Sequence, residues 1–268
     1  MNHCGQRIAR TVFIALTVMG ASWTTLQTTS AQNASAQTAS APAQPTPSVA
    51  AVAAAAQAAY FSGNAAELER LATSTAAWAK SSSAREQYTY AYVQFRALQV
   101  AIGAKRKDVA SKAGDACVDT VDAIVKREPK FAEAFALQSA CYGYMTNLGG
   151  MAAIRNGSKS GKSIEAALAL EPRNPHILLV DGFGVYFRPK FVGGDKAKGC
   201  ARFREAAAGF EAAAGASSAG IDWGVAESHY WVGRCAQDAG DASGARREFE
   251  RAVAIAPDFQ AAKRALTR

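Results

Sequence analysis

The chain has 268 residues, is 49% hydrophobic and carries a formal charge of +8, from 30 Lys and Arg against 22 Asp and Glu. A basic balance is compatible with nucleic acid, anionic lipid or an acidic protein partner. The cations are scattered through AKRKD, SKSGKS, DKAKG and ARREFER with no run of five, so a solvated basic face is expected and nucleic acid is not.

Residues 1–31 read as an export signal. Arg7 and Arg10 form a positive start, TVFIALTVMGASW is a short apolar stretch, and small-residue cleavage sites follow at Ala31 or Ala36. The apolar run is well short of the ~20 residues of a spanning helix, so no stable membrane insertion is expected once the signal is cut; an uncleaved anchor is the alternative. Cys4 precedes the apolar stretch, which removes a lipoprotein site. Cleavage takes two cations and no acid, lowering the charge from +8 to +6. Residues 32–50, QNASAQTASAPAQPTPSVA, hold no charge and little apolar bulk, the composition of a flexible linker.

From residue 51 the pattern is helical to the end. A leading pair over 51–80 turns at Gly63-Asn64. Helix pairs are then expected over about 84–129, 131–172, 175–213 and 224–257, with a closing helix over 258–268. The units are self-similar: TVDAIVKREP ends at Pro129, SIEAALALEP at Pro172 and EFERAVAIAP at Pro257, while RFREAAAGFE holds the intermediate place without its proline. Each second helix stops at a proline that cannot continue it. Extra length is expected in loops within the pairs: GAKRKDVASKAGD, NLGGMAAIRNGSKSGK and RPKFVGGD. In the third, Asp195 follows Gly193-Gly194 as a helix N-cap.

The stretch NGSKSGKS superficially looks like a phosphate-binding loop. That loop requires glycine five residues before the Gly-Lys-Ser, and Asn156 stands there; no apolar strand precedes it either. It reads instead as a basic inter-helix loop, with Ser160 or Ser163 capping the next helix.

In the last pair Gly233, Ala245, Phe249, Ala252 and Pro257 follow at spacings of twelve, four, three and five. This resembles the tetratricopeptide repeat, with five of eight signature positions matching and His229 and Ala236 departing. Earlier copies keep only second-helix positions, such as Ile164 and Ala167 or Phe203 and Ala206. The resemblance implies an all-α, right-handed array of helical hairpins, with a concave groove lined by the first helix of each pair. Carried over, the groove positions are Glu227, Tyr230, Arg234 and Gln237 in the last unit, and His176, Leu179, Phe183, Tyr186 and Phe187 before it. Glu133 and Tyr144 come from the second unit, with Ala136, Ala140 and Gly143 between them; Tyr88, Tyr92 and Phe95 form one helical stripe in the first. An aromatic stripe can equally pack between neighbouring pairs.

Catalytic groupings are absent from the sequence: after signal removal only His176 and His229 remain, and no G-x-S-x-G, HExxH or CxxC occurs. No metal, cofactor or enzymatic activity is expected. The resemblance implies a scaffold in the cell envelope, periplasmic or secreted, that binds an unknown protein or peptide. The alternative is a helical-repeat binder of a small ligand, accompanying transport.

Four cysteines remain, Cys117, Cys141, Cys200 and Cys235. In the oxidising setting that export implies, an even number suggests disulfides, and four allow three pairings. Cys117 and Cys141 lie symmetrically about the turn at Pro129, and Cys200 and Cys235 about GASSAG, so each pair sits at equal height in an antiparallel hairpin. The expected pairs are Cys117–Cys141 and Cys200–Cys235, against the alternative of free thiols packed as small core residues.

Overall fold

The computed structural model describes residues 47–213 and 221–267. The export signal and all but the end of the linker lie outside the described residues. Eleven α-helices and no strand occur among those described. The leading pair is α1 (Val49–Ser62) and α2 (Ala65–Ser74), and the next is α3 (Ala84–Gly103) and α4 (Lys107–Arg127). Three more pairs follow: α5 (Ala132–Met145) with α6 (Gly150–Leu170), α7 (Pro175–Phe187) with α8 (Lys196–Ala213), and α9 (Val225–Asp238) with α10 (Ala242–Ile255). Helix α11 (Gln260–Leu266) closes the array. The fold is an all-α helical-repeat array in which each helix packs against its chain neighbours, and first helices of successive pairs also touch.

Local chemistry sets the ends. Ser48 accepts from the Ala51 amide at 3.2 Å, so α1 starts at Val49, two residues ahead of the expected domain boundary. The leading and last pairs share one turn: Gly63 and Gly240 take φ of 73° and 81°, and Asn64 and Asp241 then cap α2 and α10. Asp195 accepts from the Lys198 amide at 3.0 Å, the cap expected for α8. Helices α4, α6 and α10 end two residues before Pro129, Pro172 and Pro257.

Two of the three expected long loops are helical. The α3–α4 turn is only Ala104–Arg106, and α4 then buries Ala110, Ala113, Cys117, Val121 and Ile124 along one face. NGSKSGKS likewise lies inside α6, so Ser160 and Ser163 are mid-helix residues and not caps. Tertiary bonds override the weak helix propensity of Ser and Gly. Ser139 on α5 donates to the Ser160 carbonyl and Ser160 donates to the Ser139 carbonyl, both at 2.9 Å, while Ser163 donates to Gln138 at 2.7 Å. Only RPKFVGGD remains a connection, crossed by a short 3₁₀ turn at Lys190–Val192.

Within pairs, small residues allow close approach. A Cβ on Gly233 would stand 2.7 Å from the Phe249 ring and 3.1 Å from the Ala245 carbonyl, and one on Gly182 would stand 2.7 Å from Phe203. The third and last pairs therefore repeat one glycine-on-phenylalanine contact. Cys117 and Cys141 lie at disulfide distance with Cα atoms 6.2 Å apart, and Cys200 and Cys235 with Cα atoms 5.8 Å apart, in the expected pairing. Each pair joins a second helix to the first helix of the following unit.

Candidate functional site

The array curls far enough that its beginning meets its end. Phe61 at the end of α1 lies 4.3 Å, centroid to centroid, from Phe259 ahead of α11. At the centre of this closure Arg96 of α3 pairs with Glu227 of α9, 131 residues away, and both are nearly solvent-free at 2% and 3% exposure. Arg96 also donates to Gln99 at 2.9 Å. Its guanidinium lies 4.3 Å from the Tyr60 ring, 4.8 Å from Tyr92 and 5.5 Å from Trp223. These rings replace part of the lost hydration of the cation. Burial pushes the phenols of Tyr60, Tyr88, Tyr92 and Tyr144 above their ordinary value, so all four are neutral hydroxyls.

The residues expected in the groove separate into two clusters. Tyr88, Tyr92, Phe95 and His176 are buried in the closed centre and do not face an open groove. Tyr92 donates to Gln57 of α1 at 3.0 Å, and Trp223 donates to the Tyr88 oxygen at 3.3 Å. Phe95 meets half-buried Tyr144 edge-on at 5.4 Å. His176 packs between Phe210 at 4.8 Å and Trp223 at 5.2 Å, with Nδ1 3.7 Å from Glu133. Burial lowers the His176 pKa, only partly countered by Glu133, and keeps the ring neutral. The physical reason for this enclosure is curvature: helix α1 and the residues before α9 occupy the space that the stripe on α3 would otherwise expose.

The second cluster lies between α7 and α9. Phe183, Tyr186 and Phe187 surround Trp231 at 5.5, 5.7 and 5.1 Å. Tyr186 is buried and donates to Asp238 at 2.7 Å; burial first, then this bond, push its hydroxyl up to about 12. Phe187 is 60% exposed. Tyr230 packs on Phe259 at 5.1 Å and accepts from Arg234 at 3.2 Å. His229, buried, bonds Glu248 at 2.7 Å.

Sequence reasoning missed Tyr60, Arg96, Trp223 and Trp231. Arg96 carried a legible signal, a cation adjoining the aromatic stripe of Tyr88, Tyr92 and Phe95. Trp223 carried none, since it lies between helices.

An open cleft lies beside the closed centre. It holds about 320 Å³ between α1, the residues ahead of α9 and the α10–α11 turn. Ala54, Ala58 and Phe61 form one wall and Trp223, Val225 and Pro257 the other, while Gln57, Asp222 and Asp258 supply polar groups. No group of three or more potential metal ligands occurs among the described residues, and no helix among them is long and apolar enough to cross a membrane.

No family model and no curated protein matches the chain. Among solved structures it is similar to the HusA haemophore from Porphyromonas gingivalis, with TM-score 0.59 and 17% identity over 73% of this chain and 96% of that one. A thermophilic TPR protein from Thermus thermophilus aligns over 76% of this chain and 92% of its own, with TM-score 0.49 and 13% identity. The likeness to the haemophore concerns the fold alone, an all-α array of helical hairpins.

Proposed function

We propose that the chain is a non-catalytic binding scaffold that takes an apolar side chain of a protein or peptide partner in the cleft between α1 and the α10–α11 turn. The cleft itself carries this reading. Its volume is at the lower end of the range for ligand sites, enough for one large side chain, and its walls are apolar. The exposed carboxylates of Asp222 and Asp258 favour a partner with a cation beside its apolar anchor. Binding is favoured over catalysis because the titratable groups that converge at Arg96 and Glu227 are enclosed, with no exposed face for a substrate. An envelope setting is the companion proposal; the two cysteine pairs are compatible with it.

Ala58 is exposed on the cleft wall, so Ala58→Arg should block the site without disturbing the core. Capture from an envelope extract should lose its partner with this variant while the melting temperature holds. Undiminished capture would remove the cleft from consideration. A second reading, a small planar ligand, draws on the aromatic walls Phe61 and Trp223 and on the fold likeness to a haemophore. Haemin titration distinguishes the two: a saturable absorbance change abolished by Ala58→Arg favours the small ligand.

A further inference from the structure

Consecutive helices run antiparallel, so the turns inside the pairs all lie along one edge of the array and the turns between pairs along the other. Exposed large apolar side chains are distributed very unevenly between these edges. Of eight among the described residues, six belong to the within-pair edge: Val109, Met151, Ile154, Phe187, Phe191 and Val192. Phe191 is 90% exposed, Met151 81% and Ile154 71%, beyond what packing against the array explains. They come from the three central pairs, at the start of α4, the start of α6 and the α7–α8 connection. The outer pairs turn at the same edge through short polar tips, Gly63-Asn64 and Gly240-Asp241.

Cations are interleaved with these side chains. Lys105, Arg106 and Lys107 surround the α3–α4 turn, Arg155 follows Ile154, and Lys190 and Lys196 flank the Phe191 tip; all six are exposed. None of the six carries an ion pair among the described residues. Of the acids nearby, Asp195 is engaged in capping α8, which leaves Asp108 as the exposed counter-charge. The arrangement is a row of separate projecting tips and not a groove, a form that suits a plane better than a peptide. Apolar side chains that enter the interfacial layer, with cations at headgroup level, are the two contributions that hold a protein on an anionic bilayer.

We propose that the edge formed by the α3–α4, α5–α6 and α7–α8 turns docks the protein on an anionic lipid surface, with Phe191 and Met151 entering the interface. This is independent of the cleft, which lies elsewhere on the array.

The test uses the full chain and vesicles of phosphatidylcholine with and without phosphatidylglycerol. Because the apolar N-terminal stretch can itself associate with lipid, the readout is specific to position. Tryptophan is introduced by Phe191→Trp at the proposed edge and by Ala239→Trp at the polar α9–α10 tip, and its added emission is quenched by brominated lipid. Quenching is expected at position 191 and not at 239, only with anionic vesicles, and reduced by salt. Lys190→Gln and Lys107→Gln should each weaken partition about five-fold, and Phe191→Ser should remove most of the binding attributable to the edge. Equal quenching at both positions, none at 191, or equal quenching on neutral vesicles would overturn the proposal. So would binding of polyglutamate through these lysines without vesicle association, which would give the edge to an acidic protein.

Discussion

Among the described residues Arg96 is the largest fully buried side chain, and it is a cation. Its pairing with Glu227 is enclosed, and the Arg96 Nε and Glu227 Oε2 atoms find no hydrogen-bond partner. Such a pair contributes little net stability against an apolar replacement, but removing one partner strands the other charge. Arg96→Met should therefore cost about 3–5 kcal/mol. The double variant Arg96→Met/Glu227→Leu should recover most of that loss, because no charge is then left buried. Urea denaturation of the two single variants and the double closes the cycle. Additive losses would mean that the two side chains do not depend on each other. His176 nearby is held neutral by its own burial, which the carboxylates of Glu133, Asp222 and Glu227 offset only in part.

Among the elements, α6 is the informative case, since its sequence up to Lys162 reads as a loop and only its end as a helix, yet it is one 21-residue helix. Gly161 is helical, and a Cβ there meets nothing within 4 Å. Gly161→Ala should thus stabilise the protein by about 0.5–1 kcal/mol, a helix-propensity gain that a loop would not show. The expected rise in melting temperature is a few degrees at most. Gly233 is the opposite case, because its missing Cβ is where the Phe249 ring packs. Gly233→Leu should lose at least about 1–3 kcal/mol through overpacking, seen as a lower melting temperature with helical circular dichroism retained below it. A variant that melts like wild type would place the α9–α10 register elsewhere.

At the scale of the whole molecule, two kinds of restraint hold the curl. Contacts of α1 and α3 with α9 and the α10–α11 turn close it, and the cysteine pairs link α4 to α5 and α8 to α9. Replacing Cys200 and Cys235 together by Ala should cost about 2–4 kcal/mol, in the range for a disulfide that closes a loop of some tens of residues. Mass spectrometry of the unreduced protein should find no free thiol at these four positions. Free thiols at all four would make them packed core residues instead. Because closure involves helices far apart in the chain, the outer pairs should not exchange protons independently of each other. Amide exchange in α1 and α11 should slow or quicken together when Phe259 is changed to Ala.

What the sequence determined by itself is local. The prolines after α4, α6 and α10, the Gly-Asn and Gly-Asp turns, and the spacing from Gly233 to Phe249 are chemical constraints that act within one hairpin, so the repeat and the cysteine pairing could be read from them. Only the tertiary structure decided the rest. Ser160 and Ser163 are helical because partners on α5 accept and donate to them, and a single-segment propensity contains no term for those partners. The aromatic stripe on α3 is enclosed because the array curves enough for Glu227 and Trp223 to reach it. Curvature is the sum of small rotations between neighbouring pairs, and no residue pattern within one pair records that sum.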